Sequence, residues 1–141
     1  MDWYLLVLKR YAQFDGRARR KEYWYFVLFN ALVAILLCAL SMAAMMLLSN
    51  SNYSSVAVIA FIPYMLYSFA VLIPGLAVLV RRLHDIGKSG WWFFISFIPV
   101  VGGIILLVLV CRDSQPGPNI YGPNPKDYPG APPTAPAVLS Y

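Results

Sequence analysis

The side chains with the richest chemistry sit in one short stretch, Arg81-Arg82-Leu83-His84-Asp85, followed by Lys88, Ser89 and Trp91-Trp92. An imidazole beside a carboxylate could work as an acid–base pair. Neighbours on a helix point about 100° apart, so His84 and Asp85 are no ready dyad, and no further catalytic group accompanies them. Gly87-Lys88-Ser89 looks like the end of a phosphate-binding loop, but Arg82 occupies the position where that loop needs glycine. The remaining chemistry is electrostatic. Arginine forks hold phosphate bidentately, and tryptophan favours the headgroup layer of a bilayer. A second cluster of this kind, Arg17, Arg19, Arg20 and Lys21 with Glu22, runs into Trp24. The candidate set for contact with anionic lipid or a partner is therefore Arg17, Arg19, Arg20, Trp24, Arg81, Arg82, His84, Asp85, Lys88, Trp91 and Trp92.

Metal and cofactor chemistry is not expected. The chain has one histidine and two cysteines, Cys38 and Cys111, without metal-ligand spacing. Met42, Met45 and Met46 read as packing rather than copper ligands.

The elements that must carry these residues are hydrophobic. Of 141 residues 60% are apolar and only 12% charged, and mean hydropathy is +0.65. One small soluble core cannot hide so much apolar surface, because a domain of this size leaves about a third of its unfolded surface exposed. Net charge is +5. With this hydrophobicity it points to an anionic membrane surface rather than nucleic acid. Three charge-free runs, 23–48, 56–80 and 91–110, would be about 39, 37 and 30 Å long as helices, against a hydrocarbon core of ~30 Å. The first is too long, and begins too late, for a signal peptide. The expected fold is an all-α membrane protein of three transmembrane helices in a single domain, residues 1–126.

Nine of the eleven basic residues fall before the first run or between the second and third. The positive-inside rule makes that side the cytoplasm and places the first loop and the segment after Cys111 outside. Pro99 and Gly102-Gly103 interrupt the third run. They kink a single span, the reading adopted here, or turn a re-entrant hairpin that returns the tail to the cytoplasm.

At the amino end, residues 2–14 form an amphipathic pattern with Trp3, Tyr4, Val7, Leu8, Tyr11 and Phe14 on one face. This predicts an interfacial helix among headgroups, or one packed on the cytoplasmic end of the bundle. Asp15-Gly16 should break it. At the other end, residues 127–141 are proline-rich and expected to be extended and disordered, whereas 116–125 suit ordered turns.

The ordered motifs resemble a known family. They are Trp3-Tyr4 with Val7-Leu8-Lys9, the run from Phe14 to Trp24, Arg81 to Asp85, Ser89 to Trp92, Ile98 to Gly102, and Asn119 with Tyr121 to Pro125. Over about residues 3–126 the chain is similar to the YhaH-like family of small bacterial inner-membrane proteins of unknown function. The family pattern often has aspartate where Asn124 stands. The resemblance implies a multi-span helical protein of the bacterial inner membrane and supplies no activity.

The function expected is that of a non-enzymatic structural or interaction protein. Its two basic–aromatic collars would contact anionic lipid, a second copy or another membrane protein, and not nucleic acid. The alternative is a small oligomeric channel or transporter built on proline-kinked spans. The lack of ionisable groups inside the runs counts against it.

Overall fold

A computed structural model describes residues 2–48 and 53–127, with side chains over 4–47 and 58–127. The side chain of Trp3, and all of the proline-rich tail but Asp127, lie outside the described residues. Among those described every named element is a helix: α1 (Asp2–Lys9), α2 (Arg20–Leu48), α3 (Tyr53–Asp85), a 3-10 helix (Gly90–Phe97) and α4 (Val101–Cys111).

Helices α2 and α3 form an antiparallel hairpin. Glu22 meets Arg81, Asn30 meets Tyr67 and Ser41 meets Ala60, so one helix descends as the other climbs. At 29 and 33 residues they are about 43 and 50 Å long, and both are apolar enough to cross a membrane. Mid-helix polar groups such as Asn30, Ser41 and Ser68 are satisfied internally, as hydrocarbon requires. Ser41 Oγ donates to the carbonyls of Leu37 and Ala60, and Tyr67 donates to Asn30 Oδ1 at 2.6 Å. Most apolar side chains along the hairpin point outward, Leu36 and Phe69 among them. The small protein core instead gathers at the end where α2 begins and α3 finishes. There Val7, Ala18, Phe26 and Val78 pack together, with Tyr4 stacked on Phe26.

Helix α1 is shorter than its amphipathic pattern. It stops at Lys9, a turn follows, and Gly16 takes the positive φ that the reversal before α2 needs. Val7 is buried while Leu8, Tyr11 and Phe14 stay exposed, so α1 leans on the bundle with only part of its apolar face.

The third apolar run is not one helix. The 3-10 helix ends at Phe97, and the chain reverses through Pro99-Val100-Val101. Val100 adopts φ 63° and ψ −60°, and Val101 N donates to Pro99 O at 2.7 Å, a γ-turn of the strained, positive-φ kind. Helix α4 then packs back on the 3-10 helix. Both ends of this hairpin meet the same end of α3: Gly90 lies against Val80, and Arg82 bonds the Val110 carbonyl. At 11 residues α4 is about 16 Å long, short of a crossing.

One expectation is corrected by this geometry. Residues 112–127 were expected across the membrane from the collars, yet they pack directly on Arg17, Arg82 and Asp85. The reason is the γ-turn and Gly102, which let the chain double back at mid-run. A Cβ on Gly102 would sit 1.8 Å from the Ile95 carbonyl oxygen, whereas one on Gly103 meets nothing within 4 Å. Gly102→Ala should therefore cost about 1–3 kcal/mol by overpacking, with Gly103→Ala neutral or better. Thermal unfolding of the two variants in detergent checks the contrast, and equal midpoints would contradict it.

Candidate functional site: an arginine–carboxylate clasp

Helix ends leave backbone carbonyls without intrahelical partners, and at a membrane face these must be satisfied by protein or water. Two helices, α3 and α4, finish side by side at the core end. Arginines and the following strap of chain close both. At the end of α3, the Arg81 carbonyl accepts from Ala18 N, the His84 carbonyl from Asn119 Nδ2, and the Asp85 carbonyl from Gln115 N. At the end of α4, Arg82 Nε donates to Val110 O at 3.0 Å, its Nη2 to Arg112 O, and Arg20 Nη1 to Cys111 O. Cationic side chains are favoured at helix C-termini because the backbone dipoles point their negative ends there.

Asp85 is the hub. Its carboxylate is fully buried and accepts from Arg17 Nε at 2.9 Å, from Arg82 Nη1 and from Ser114 Oγ at 2.6 Å. Arg17 uses all three nitrogens. Besides Asp85, it reaches the carbonyls of Gln115 at 2.6 Å and Gly117 at 2.8 Å, about a hundred residues away in sequence. Only a planar fork with five donors can hold a carboxylate and a strap of carbonyls together. A second buried pair, Glu22 Oε1 with Arg81 Nη1 at 2.8 Å, ties α2 to α3. Around these, the His84 ring stacks on Tyr121 with centroids 3.7 Å apart, in a turn closed between Asn119 and Gly122. The outer edge of the strap is held by Lys126 and Arg20 on Asp113. The bond from Lys126 is the main reason that carboxyl lies below its ordinary pKa.

The candidate residues fall into two groups. Arg17, Arg81, Arg82, His84 and Asp85 are buried and belong to the clasp. His84 and Asp85 are parted by it, one against Tyr121 and the other between two guanidiniums, so they share no proton. Arg20, Trp24, Trp91 and Trp92 are exposed and form a rim, with Arg19 and Lys88 half-buried; Lys88 Nζ lies over the Trp92 ring, and Arg19 bonds the Pro125 carbonyl. On this rim a shallow, open groove of about 470 Å³ is lined by Arg20, Lys21, Trp24, Tyr25 and Cys111. Among the described residues no group of three or more His, Cys, Asp or Glu could hold a metal ion, and both cysteines are free.

Sequence reasoning grouped Arg81, Arg82 and Asp85 in one stretch and Arg17 with Glu22 in another. It missed the strap, where Ser114, Gln115 and Asn119 complete the clasp, and it left Tyr25 and Cys111 out of the rim.

A family described as a protein of unknown function, DUF805, matches residues 11–123, a stretch holding every charged residue of the clasp. The chain belongs to this family. It is 43% identical over 126 residues to the inner membrane protein YhaI of Escherichia coli K12, covering 89% of this chain and 97% of the relative. To the inner membrane protein YhaH of the same strain it is 41% identical, covering 89% and 98%. No solved structure matches the chain. DUF805 carries no assigned activity, so the function must be argued from the site itself. The names of these relatives place them in the inner membrane, and the apolar α2–α3 hairpin is fit for the same place.

Proposed function

We propose that this DUF805 protein is a non-enzymatic component of the bacterial inner membrane whose clasped end faces the cytoplasm and contacts anionic lipid headgroups. The membrane is crossed twice, by α2 and α3, and the 3-10 helix and α4 enter and leave from the cytoplasmic side. The observation that carries the lipid reading is the rim groove. Two cationic side chains, Arg20 and Lys21, line it together with Trp24 and Tyr25 at the start of α2. Positive charge beside aromatic rings at headgroup depth is the pattern that attracts anionic lipid, at about 1 kcal/mol per basic residue. Trp91, Trp92 and Lys88 extend the rim at the start of the 3-10 helix.

The clasp favours a structural role over catalysis. Both oxygens of the Asp85 carboxylate accept from arginine or hydroxyl donors of the same chain, which ties that carboxylate up in the fold rather than leaving it as a base.

Native mass spectrometry of the detergent-solubilised protein with equal phosphatidylglycerol and phosphatidylcholine tests the lipid reading. Wild type should retain phosphatidylglycerol preferentially. Arg20→Gln with Lys21→Gln should remove most of that preference at a cost of no more than about 1 kcal/mol in stability, because both side chains are exposed and the bonds of Arg20 to Cys111 and Asp113 lie at the surface. Equal retention of both lipids by wild type would overturn it.

A further inference from the structure

The rim groove has an anion of its own chain beside it. Arg20 lines the groove, and its Nη2 meets Asp113 Oδ1 at 3.3 Å while its Nη1 donates to the Cys111 carbonyl, also at 3.3 Å. Asp113 is the second residue past Cys111, which lines the groove as well. Both charged partners are open to water, the Arg20 side chain 45% exposed and that of Asp113 57%. The same Oδ1 also takes Lys126 Nζ and, at 2.7 Å, the backbone N–H of Ser114. One oxygen thus serves three donors, and the contact to Arg20 is the longest of them.

That geometry makes the Arg20–Asp113 pair real but easily exchanged. A strong charge-assisted bond from a guanidinium to an oxyanion is about 2.7–2.9 Å long, and two parallel N–H groups often share the work. Arg20 has neither advantage with Asp113. An exposed pair of this kind biases an equilibrium by roughly fivefold at most. A phosphate group, with several acceptor oxygens, can take the fork of Arg20 in the stronger, doubled way. The carboxylate still has to be displaced first. The bonds from Lys126 and Ser114 hold the Asp113 carboxyl below its ordinary pKa, so it keeps its charge at neutral pH. Binding and the strap are therefore linked: an anion that draws Arg20 into the groove takes it off the strap, and the linkage acts equally in both directions. Arg17, Arg82 and Asp85 are buried and hold the clasp without Arg20, so the exchange is confined to the outer edge.

We propose that Asp113 is a built-in competitor for the groove: its carboxylate holds Arg20, and the phosphate of an anionic lipid headgroup takes Arg20 in its place, leaving Asp113 to Lys126 and Ser114. This regulation rests on the lipid reading of the groove. It goes beyond that reading because a strap residue that does not line the groove sets how tightly the groove binds.

Native mass spectrometry of the full-length protein, with equal phosphatidylglycerol and phosphatidylcholine, reads the competition. Asp113→Asn keeps an acceptor for Ser114 N but removes the charge, and at an exposed position it leaves the fold in place. Asp127→Asn, also exposed on the strap, removes the same charge without touching the ion pair of Arg20. Asp113→Asn should raise the preference for phosphatidylglycerol about three- to fivefold over wild type, the bias an exposed pair can exert. Asp127→Asn should stay close to wild type. In an Arg20→Gln background, Asp113→Asn should do no more than Asp127→Asn does. If wild type prefers phosphatidylglycerol and Asp113→Asn raises that preference no further than Asp127→Asn, the competition is overturned while the lipid reading stands. A gain that survives intact in Arg20→Gln overturns it in the same way. Equal retention of the two lipids by wild type overturns the lipid reading, and the competition with it.

Discussion

Asp85→Ala should destabilise the protein by about 3–5 kcal/mol, the usual cost of stripping one partner from a buried ion pair. The substitution leaves Arg17 and Arg82 buried against each other with no carboxylate between them, and it frees Ser114 of the strap. A buried ion pair adds little net stability over a well-packed apolar core, since desolvation offsets most of the Coulomb attraction. What Asp85 provides is uniqueness: it fixes where α2's leader, α3's end and the strap must meet. Asp85→Asn keeps an acceptor but loses the charge, and should fall between wild type and alanine. Arg17→Lys should be nearly as damaging as Asp85→Ala, because an ammonium cannot reach Asp85, Gln115 and Gly117 together. Thermal and denaturant unfolding in detergent read these losses, and steady-state accumulation in membranes should follow them. A loss under about 1 kcal/mol for Asp85→Ala would show that the clasp is a solvated surface network.

Much of this was legible in the residues. The two long runs in α2 and α3 announce themselves by length and lack of charge, and their polar connector implies the hairpin. The break at Pro99 and Gly102 was visible, but its sense was not. A kink and a reversal share the same residues, and the choice depends on Val100 adopting a positive φ that no β-branched residue prefers. The clasp was half legible. Charge type and spacing marked Arg17, Arg82 and Asp85 as partners of something, but exposure cannot be read from composition. Arginines near a membrane span look alike whether they snorkel to lipid or cap a helix end within the fold. Long-range partners such as Gln115 and Gly117 offer only backbone carbonyls, which leave no trace in the sequence.

The reversal also completes the charge pattern. With residues 112–127 folded back, Arg112 and Lys126 join the nine other basic residues, so all eleven lie at one end of the α2–α3 hairpin. A three-span layout would have put two of them on the far side. Under the positive-inside rule, the proposed orientation would put the amino end, the 81–90 connector and the strap together on the cytoplasmic side. Cysteine accessibility in intact cells tests this directly, in a background of Cys38→Ala and Cys111→Ala. Ile120, 90% exposed at the tip of the strap, is the probe position, and Ser51, between α2 and α3 in sequence, is the counterpart. The account predicts that Ser51→Cys reacts with a membrane-impermeant thiol reagent in intact cells, while Ile120→Cys reacts only after lysis. Labelling of Ile120→Cys in intact cells would contradict it.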